Sequence, residues 1–279
     1  MSGLDDAFHK LERGKEHLVN FTRNIKQTFD EKSFSYVIKS YPYTKRREAG
    51  DQRPWTVYTA EFSSVPAFTK YDGLFMGEVI QNFRSALDYL AWAYYVRSGL
   101  RFRDFDEKRI DFPMTSSQDS FKTKVNQLFP KISANERALL ERYQPYQPTD
   151  AAMKVGWLQT LSNTDKHRII LPTVTTGIDG YLAIEYGSWA ELQTVLDRFE
   201  PGQDIKEGTK IQSLVLAGTP PIADKRPVYM QANTAKLAIV LPVDLIRARP
   251  PYEMVTMYAA LNGIRDVCTE ILVEAKKYF

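Results

Sequence analysis

Between Tyr71 and Ser98 the chain carries so many apolar residues that a helix there must be covered on more than one side. Met76, Ile80, Phe83, Leu87, Leu90 and Tyr94 form one stripe at three- and four-residue steps. Phe75, Val79, Ala86 and Ala93 widen that stripe, and Gly99 follows as a C-terminal stop. The pattern predicts a central helix with one narrow polar strip, holding Gln81, Arg84, Ser85 and Asp88. A chain of 279 residues, 43% of them hydrophobic, can bury such a helix in one large domain or two intimate ones.

The segments around it supply the cover. Phe8, Leu11, Leu18, Phe21, Ile25 and Phe29 recur with helical spacing in the first thirty residues. Gly14 interrupts them where a large apolar residue would fit, which marks either a close helix contact or a weak point. Phe34–Ile38 and Trp55–Phe62 are rich in aromatic and β-branched residues and read as two strands joined by a long charged loop. After Ile110-Asp111-Phe112-Pro113, an extended entry, shorter helices are predicted over Ser117–Leu128, Ser133–Arg142 and Thr149–Asn163. Ser133 and Glu136 have capping-box spacing, and Gln144-Pro145-Tyr146-Gln147-Pro148 makes a rigid loop.

From Arg168 the chain turns to strands: Arg168–Thr175, Tyr181–Tyr186, Lys210–Leu216, Pro227–Asn233 and Lys236–Leu241. Asp179-Gly180 supplies a hairpin turn between the first two. A last helix follows Pro250-Pro251, with Met254, Met257, Leu261, Ile264, Cys268, Ile271 and Ala275 on its seam. The fold class expected is α+β, a helical unit packed with a mostly antiparallel sheet. Residues 1–168 form the helical unit with a hairpin inserted at about 33–64, 169–249 the strand-rich segment, and 250–279 a helix returning to the helical unit.

Several chemistries are unsupported. A net charge of +3 does not make a nucleic-acid coat, and Lys45-Arg46-Arg47 reads as a solvated loop tip. The single cysteine, Cys268, cannot form an intramolecular disulfide and falls on an apolar stripe. With no leader-like or membrane-length apolar run, the expectation is a cytoplasmic protein that does not enter a membrane. Three histidines and one cysteine give no zinc-like arrangement, and Asp104, Asp106 and Glu107 read as a solvated acidic loop, so neither metal nor cofactor is expected. Glycine-rich phosphate loops and a nucleophile elbow are missing, and His9 and His17 lie among charges on the first helix as surface residues. Trp92, Trp157 and Trp189 read as core or interface residues.

Two polar clusters remain. Arg84 and Asp88 share a helix face four residues apart, with arginine first, the weaker orientation for an isolated pair. Charges on so apolar a helix call for partners from elsewhere. Asp165, Lys166, His167 and Arg168, at the end of another helix, are the expected ones. The structural reading of such a network is that it fixes one element against another and needs no reaction.

Arg84 followed at five residues by Tyr89 resembles the helix signature of the HEPN superfamily, arginine and then histidine after four to six residues. The likeness covers one helix. The wider layout, RSALDYLA, then FP, QPY and NTDKHR, resembles a group of bacterial and phage proteins and implies no activity. The HEPN resemblance implies helices of that type, homodimers and a metal-independent ribonuclease of defence systems. It would make Arg84, Asp88, Tyr89 and His167 catalytic. Tyr89 stands where the superfamily has histidine, so proton transfer would pass to His167, with Arg84 and Arg168 on the phosphate. The alternatives are a non-catalytic interaction protein with structural clusters, or a binder of a small anion such as a nucleotide. The ligand contacts would then be Asp165, Lys166 and Arg168, with Tyr146 placed to stack on a base or ring.

Overall fold

A computed structural model of the protein describes residues 3–31, 34–44, 51–65, 69–99, 110–167, 174–188, 190–198, 205–218, 228–241 and 255–279. Its class is α+β. Two compact units divide the chain: Met1–Ile25, Thr69–Thr173 and Leu241–Phe279 form the first, Lys26–Phe68 and Val174–Val240 the second.

The first unit is built on α2, Lys70–Arg97. A capping box of Thr69 and Asp72 starts this helix, and Gly99, at φ 65°, stands just beyond its end. Met76, Val79, Ile80, Phe83, Leu87, Leu90 and Tyr94 are fully buried, as a central helix requires. Phe75 departs from expectation. It is 40% exposed, and Tyr71 and Leu74 beside it are more so, because the cover thins over the first turns of α2.

Helix α1, Gly3–Glu31, buries Leu4, Ala7, Leu11, Gly14, Leu18 and Phe21, alternating steps of three and four, and meets α2 at its glycines. Gly3 lies against Trp92 and Ala93, while Gly14 lies against Asn82 and Phe83, so the two helices run antiparallel. A Cβ on Gly14 would fall 2.7 Å from the Phe83 ring, which identifies this glycine as a close helix contact. Phe8 is only half-buried, beneath the Lys276 ammonium.

Three shorter helices follow: α3, Gln118–Leu128; α4, Ala134–Arg142; and α5, Asp150–His167. The Ser133–Glu136 capping box opens α4 as its spacing predicts. The final helix, α6, spans Met257–Ala275 and packs on α5 and α2. It begins at a Thr256 cap, and Met254 lies outside the described residues.

The second unit carries a four-stranded antiparallel sheet. Its strands are β1 (Ser35–Pro42), β2 (Trp55–Ser64), β4 (Glu191–Arg198) and β5 (Lys210–Ala217), in the order β1-β2-β5-β4. The hairpin that interrupts the helical sequence thus joins the later strands. Central β5 is buried on both faces. Phe62, Ile184, Ile205, Ile211 and Leu214 lie in one core cluster, and Trp55, Val215 and Ala217 in another.

Beside these strands, β3 (Val174–Tyr186) pairs antiparallel with β6 (Val228–Leu241). This corrects the expected Asp179-Gly180 hairpin. The chain runs straight through, and the register shifts between Gly177 and Asp179 and between Asp179 and Tyr181 take up the extra residues as bulges. Likewise β6 continues through Asn233-Thr234-Ala235 as one strand where two were expected. Long-range pairing outweighs the local turn preference. No helix of the described residues is long and apolar enough to cross a membrane.

Candidate functional site

Arg84 is buried, 8% exposed, on the face of α2 that meets the extended segment Asp111–Thr115. Its Nε donates to Asp88 Oδ2 at 3.1 Å, and its Nη2 lies 3.0 Å from Asp88 Oδ1. The same Nη2 reaches Asp111 Oδ2 at 3.2 Å and the Phe112 carbonyl at 3.4 Å, while Nη1 points to Met114 Sδ. All three guanidinium nitrogens are therefore engaged within the chain. Asp88 accepts the Phe112 N–H at 2.9 Å, and Lys124 balances Asp111 at 2.7 Å.

Burial raises the Asp88 pKa above the usual carboxylate value, and the nearby Asp111 charge adds to the rise. Arg84 and the Phe112 amide oppose that shift without cancelling it.

Other elements complete the same segment. Gln144, fully buried, donates from Nε2 to the Pro113 carbonyl at 2.7 Å and to the Leu140 carbonyl at 2.9 Å. Its Oε1 accepts from the Thr115 N–H and hydroxyl, both at 3.1 Å. Gln159 on α5 donates to the Met114 carbonyl at 2.9 Å. Phe112, Pro113, Met114 and Thr115 are buried, so their backbone polar groups need partners: α2 serves Phe112, the α4–α5 loop serves Pro113 and Thr115, and α5 serves the Met114 carbonyl. Pro113 has no N–H to satisfy.

The predicted site residues thus part company. Arg84 and Asp88 are together. Tyr89, 38% exposed, emerges elsewhere on α2, since five residues turn a helix about 140° from the starting direction. Tyr146 is half-buried, and its hydroxyl donates to Glu141 Oε1 at 3.1 Å, so no described hydrogen bond or ion pair links it to Arg84. Asp165, Lys166 and His167 end α5, but their side chains, and Arg168 entirely, lie outside the described residues. The expected meeting of the two clusters falls outside them for that reason. Lys45, Arg46, Arg47, Asp104, Asp106, Glu107 and Trp189 do so as well.

Asp111, Met114, Gln144 and Gln159 are the partners that sequence reasoning did not assign. Their signal was the IDFP segment itself, an apolar stretch around a proline with no strand to pair with. Cys268 is buried, with its thiol pushed up by that burial, as its place on the stripe of α6 suggests. His9 is exposed, whereas His17 is half-buried with Nδ1 3.3 Å from Glu78. Compared with family models, curated proteins and solved structures, the chain matches none.

Proposed function

We propose that this is a non-catalytic interaction protein in which the Arg84–Asp88 pair is a structural clamp on the Asp111–Thr115 segment. The observation that carries the reading is the occupation of Arg84: every guanidinium nitrogen has an acceptor inside the chain, at 8% exposure. A phosphate-binding arginine needs donors that are open to its ligand. Ribonuclease action of the kind the HEPN resemblance implies would require Arg84 to abandon these acceptors, leaving Asp88, Asp111 and the Phe112 carbonyl without it. It would also require proton transfer to pass to His167, because the phenol of Tyr89 is a weaker base than the imidazole it replaces.

The exposed start of α2 supports binding as the activity. Tyr71 is 75%, Leu74 52% and Phe75 40% exposed within two turns, and apolar side chains gathered in this way are typical of contact surfaces.

Incubation of the purified chain with mixed RNA, without added metal, tests the reading. The RNA is expected to stay intact with wild type and Arg84→Lys alike. Cleavage by wild type that disappears in an Arg84→Lys variant of unchanged melting temperature contradicts it.

A further inference from the structure

We propose that the turn Lys276–Tyr278, with Phe279, is a releasable strap that closes over Tyr94 and is latched by Arg97. The strap and its partners belong to the first unit, and the device is independent of the role given to Arg84.

The strap is weakly built in itself. The 3-10 turn Lys276–Tyr278 follows α6 and buries none of its own residues. Phe279 is 46% exposed, and its N–H donates to the Lys276 carbonyl at 3.3 Å, at the long end for such a bond. What holds the turn comes from other elements. The Lys276 ammonium lies over the Phe8 ring of α1, 5.7 Å from its centroid, and anchors the start. Arg97, the last residue of α2, grips the end: its guanidinium lies 4.5 Å from the centroid of the Phe279 ring and donates to the Tyr278 carbonyl.

The latch is fixed on the side away from the strap. Arg97 also pairs with Glu136, a buried carboxylate on α4. The other oxygen of Glu136 accepts the Ser133 N–H at 2.8 Å and the Ser133 hydroxyl at 2.7 Å. One guanidinium nitrogen serves Glu136 and another serves the strap, so Arg97 keeps its place when the turn leaves.

Beneath the strap lies the group that opposes closure. Tyr94 is fully buried, with its ring centroid 5.1 Å from that of Phe279 and 6.1 Å from that of Phe129. Arg97 and Tyr278 both act on the ionisation of its phenol, which places the hydroxyl end toward the strap. That hydroxyl has no hydrogen-bond partner among the described residues. Covering it removes its water and supplies nothing in exchange. Ring packing and the Arg97 contacts therefore favour the closed form, while the stranded hydroxyl favours the open one. A segment balanced in this way opens locally without unfolding the helices beneath it. Opening bares an aromatic slot of Tyr94 and Phe129 with the Arg97 charge at its rim.

A fluorine label and amide exchange, both on the full chain, test the strap. With 3-fluorotyrosine incorporated, the Tyr94 signal is assigned by its loss in Tyr94→Phe. A soluble paramagnetic chelate should relax that signal several-fold faster in Phe279→Ala than in wild type. In Tyr94→Phe, where closure strands no hydroxyl, the Phe279 amide should exchange about 10-fold more slowly than in wild type. A Tyr94 signal relaxed equally in wild type and Phe279→Ala overturns the proposal. So does a Phe279 amide that exchanges as fast in Tyr94→Phe as in wild type, or faster, and this comparison decides the matter even if Phe279→Ala fails to fold.

Discussion

Asp88 accepts the Phe112 backbone N–H at 2.9 Å, tying the polar strip of α2 to a segment with no strand partner among the described residues. Arg84 holds the other side of the same residue through the Phe112 carbonyl. Each carboxylate oxygen of Asp88 thus has a donor, one from the backbone and one from the guanidinium.

Removing that acceptor should be costly. Asp88→Ala leaves the Phe112 amide and part of the Arg84 charge without a partner. The unfolding free energy should fall by about 2 kcal/mol, less than for a fully buried pair because the Asp88 side chain is 31% exposed. Urea titration measures this, and a loss within experimental error would separate Asp88 from the clamp.

Gln144 should matter more than its neutral side chain suggests. Gln144→Ala strips partners from the carbonyls of Pro113 and Leu140 and from Thr115, all inside the first unit. A loss of about 3 kcal/mol is expected by the same titration. Gln147→Ala, one turn of loop away, serves as the control and should stay near wild type.

Two glycines should respond oppositely to alanine. Gly14→Ala drives a methyl to 2.7 Å from the Phe83 ring, and neither packed helix can yield cheaply, so stability should fall by about 1–3 kcal/mol. In Gly263→Ala the nearest atom is Lys154 Cε at 2.9 Å, the far end of a flexible chain. There the gain in helix propensity should leave the protein unchanged or up to about 1 kcal/mol more stable. Melting temperatures of the two variants shifting in the same direction would contradict the packing described.

Tyr94 should govern part of the alkaline limb of stability. Its ring is buried between Phe129 and Phe279, and its hydroxyl has no hydrogen-bond partner among the described residues. Burial pushes its pKa up to about 12 from 10.0. A phenol that ionises more easily when unfolded stabilises the fold below pH 10 and loses that contribution as pH climbs toward 12. Tyr94→Phe should therefore be at least as stable as wild type at neutral pH and show a shallower decline above pH 10. Thermal melts between neutral and alkaline pH would show both effects; a clearly destabilised variant would mean that the hydroxyl has a partner.

The elements most legible in the sequence were those whose own pattern decides them. The apolar residues of α2 specify both its length and its central place, and the Ser133–Glu136 spacing sets the start of α4. Asp179-Gly180 misled because a turn signal is local, while the pairing of β3 with β6 draws on residues some fifty positions later. Glu191–Arg198 escaped notice because an exposed edge strand has no buried face to impose alternation. The ion pair of Arg84 with Asp88 followed from helix spacing alone. Its remaining partners, Asp111, Phe112 and Met114, depend on how the chain returns to α2, which spacing does not encode.

The most direct test of the clamp is the unfolding free energy of Arg84→Lys against wild type. Lysine keeps the positive charge but loses the fork that reaches Asp88, Asp111 and the Phe112 carbonyl together. A loss of about 2 kcal/mol is the predicted result. Wild-type stability in Arg84→Lys would contradict the structural role assigned to Arg84.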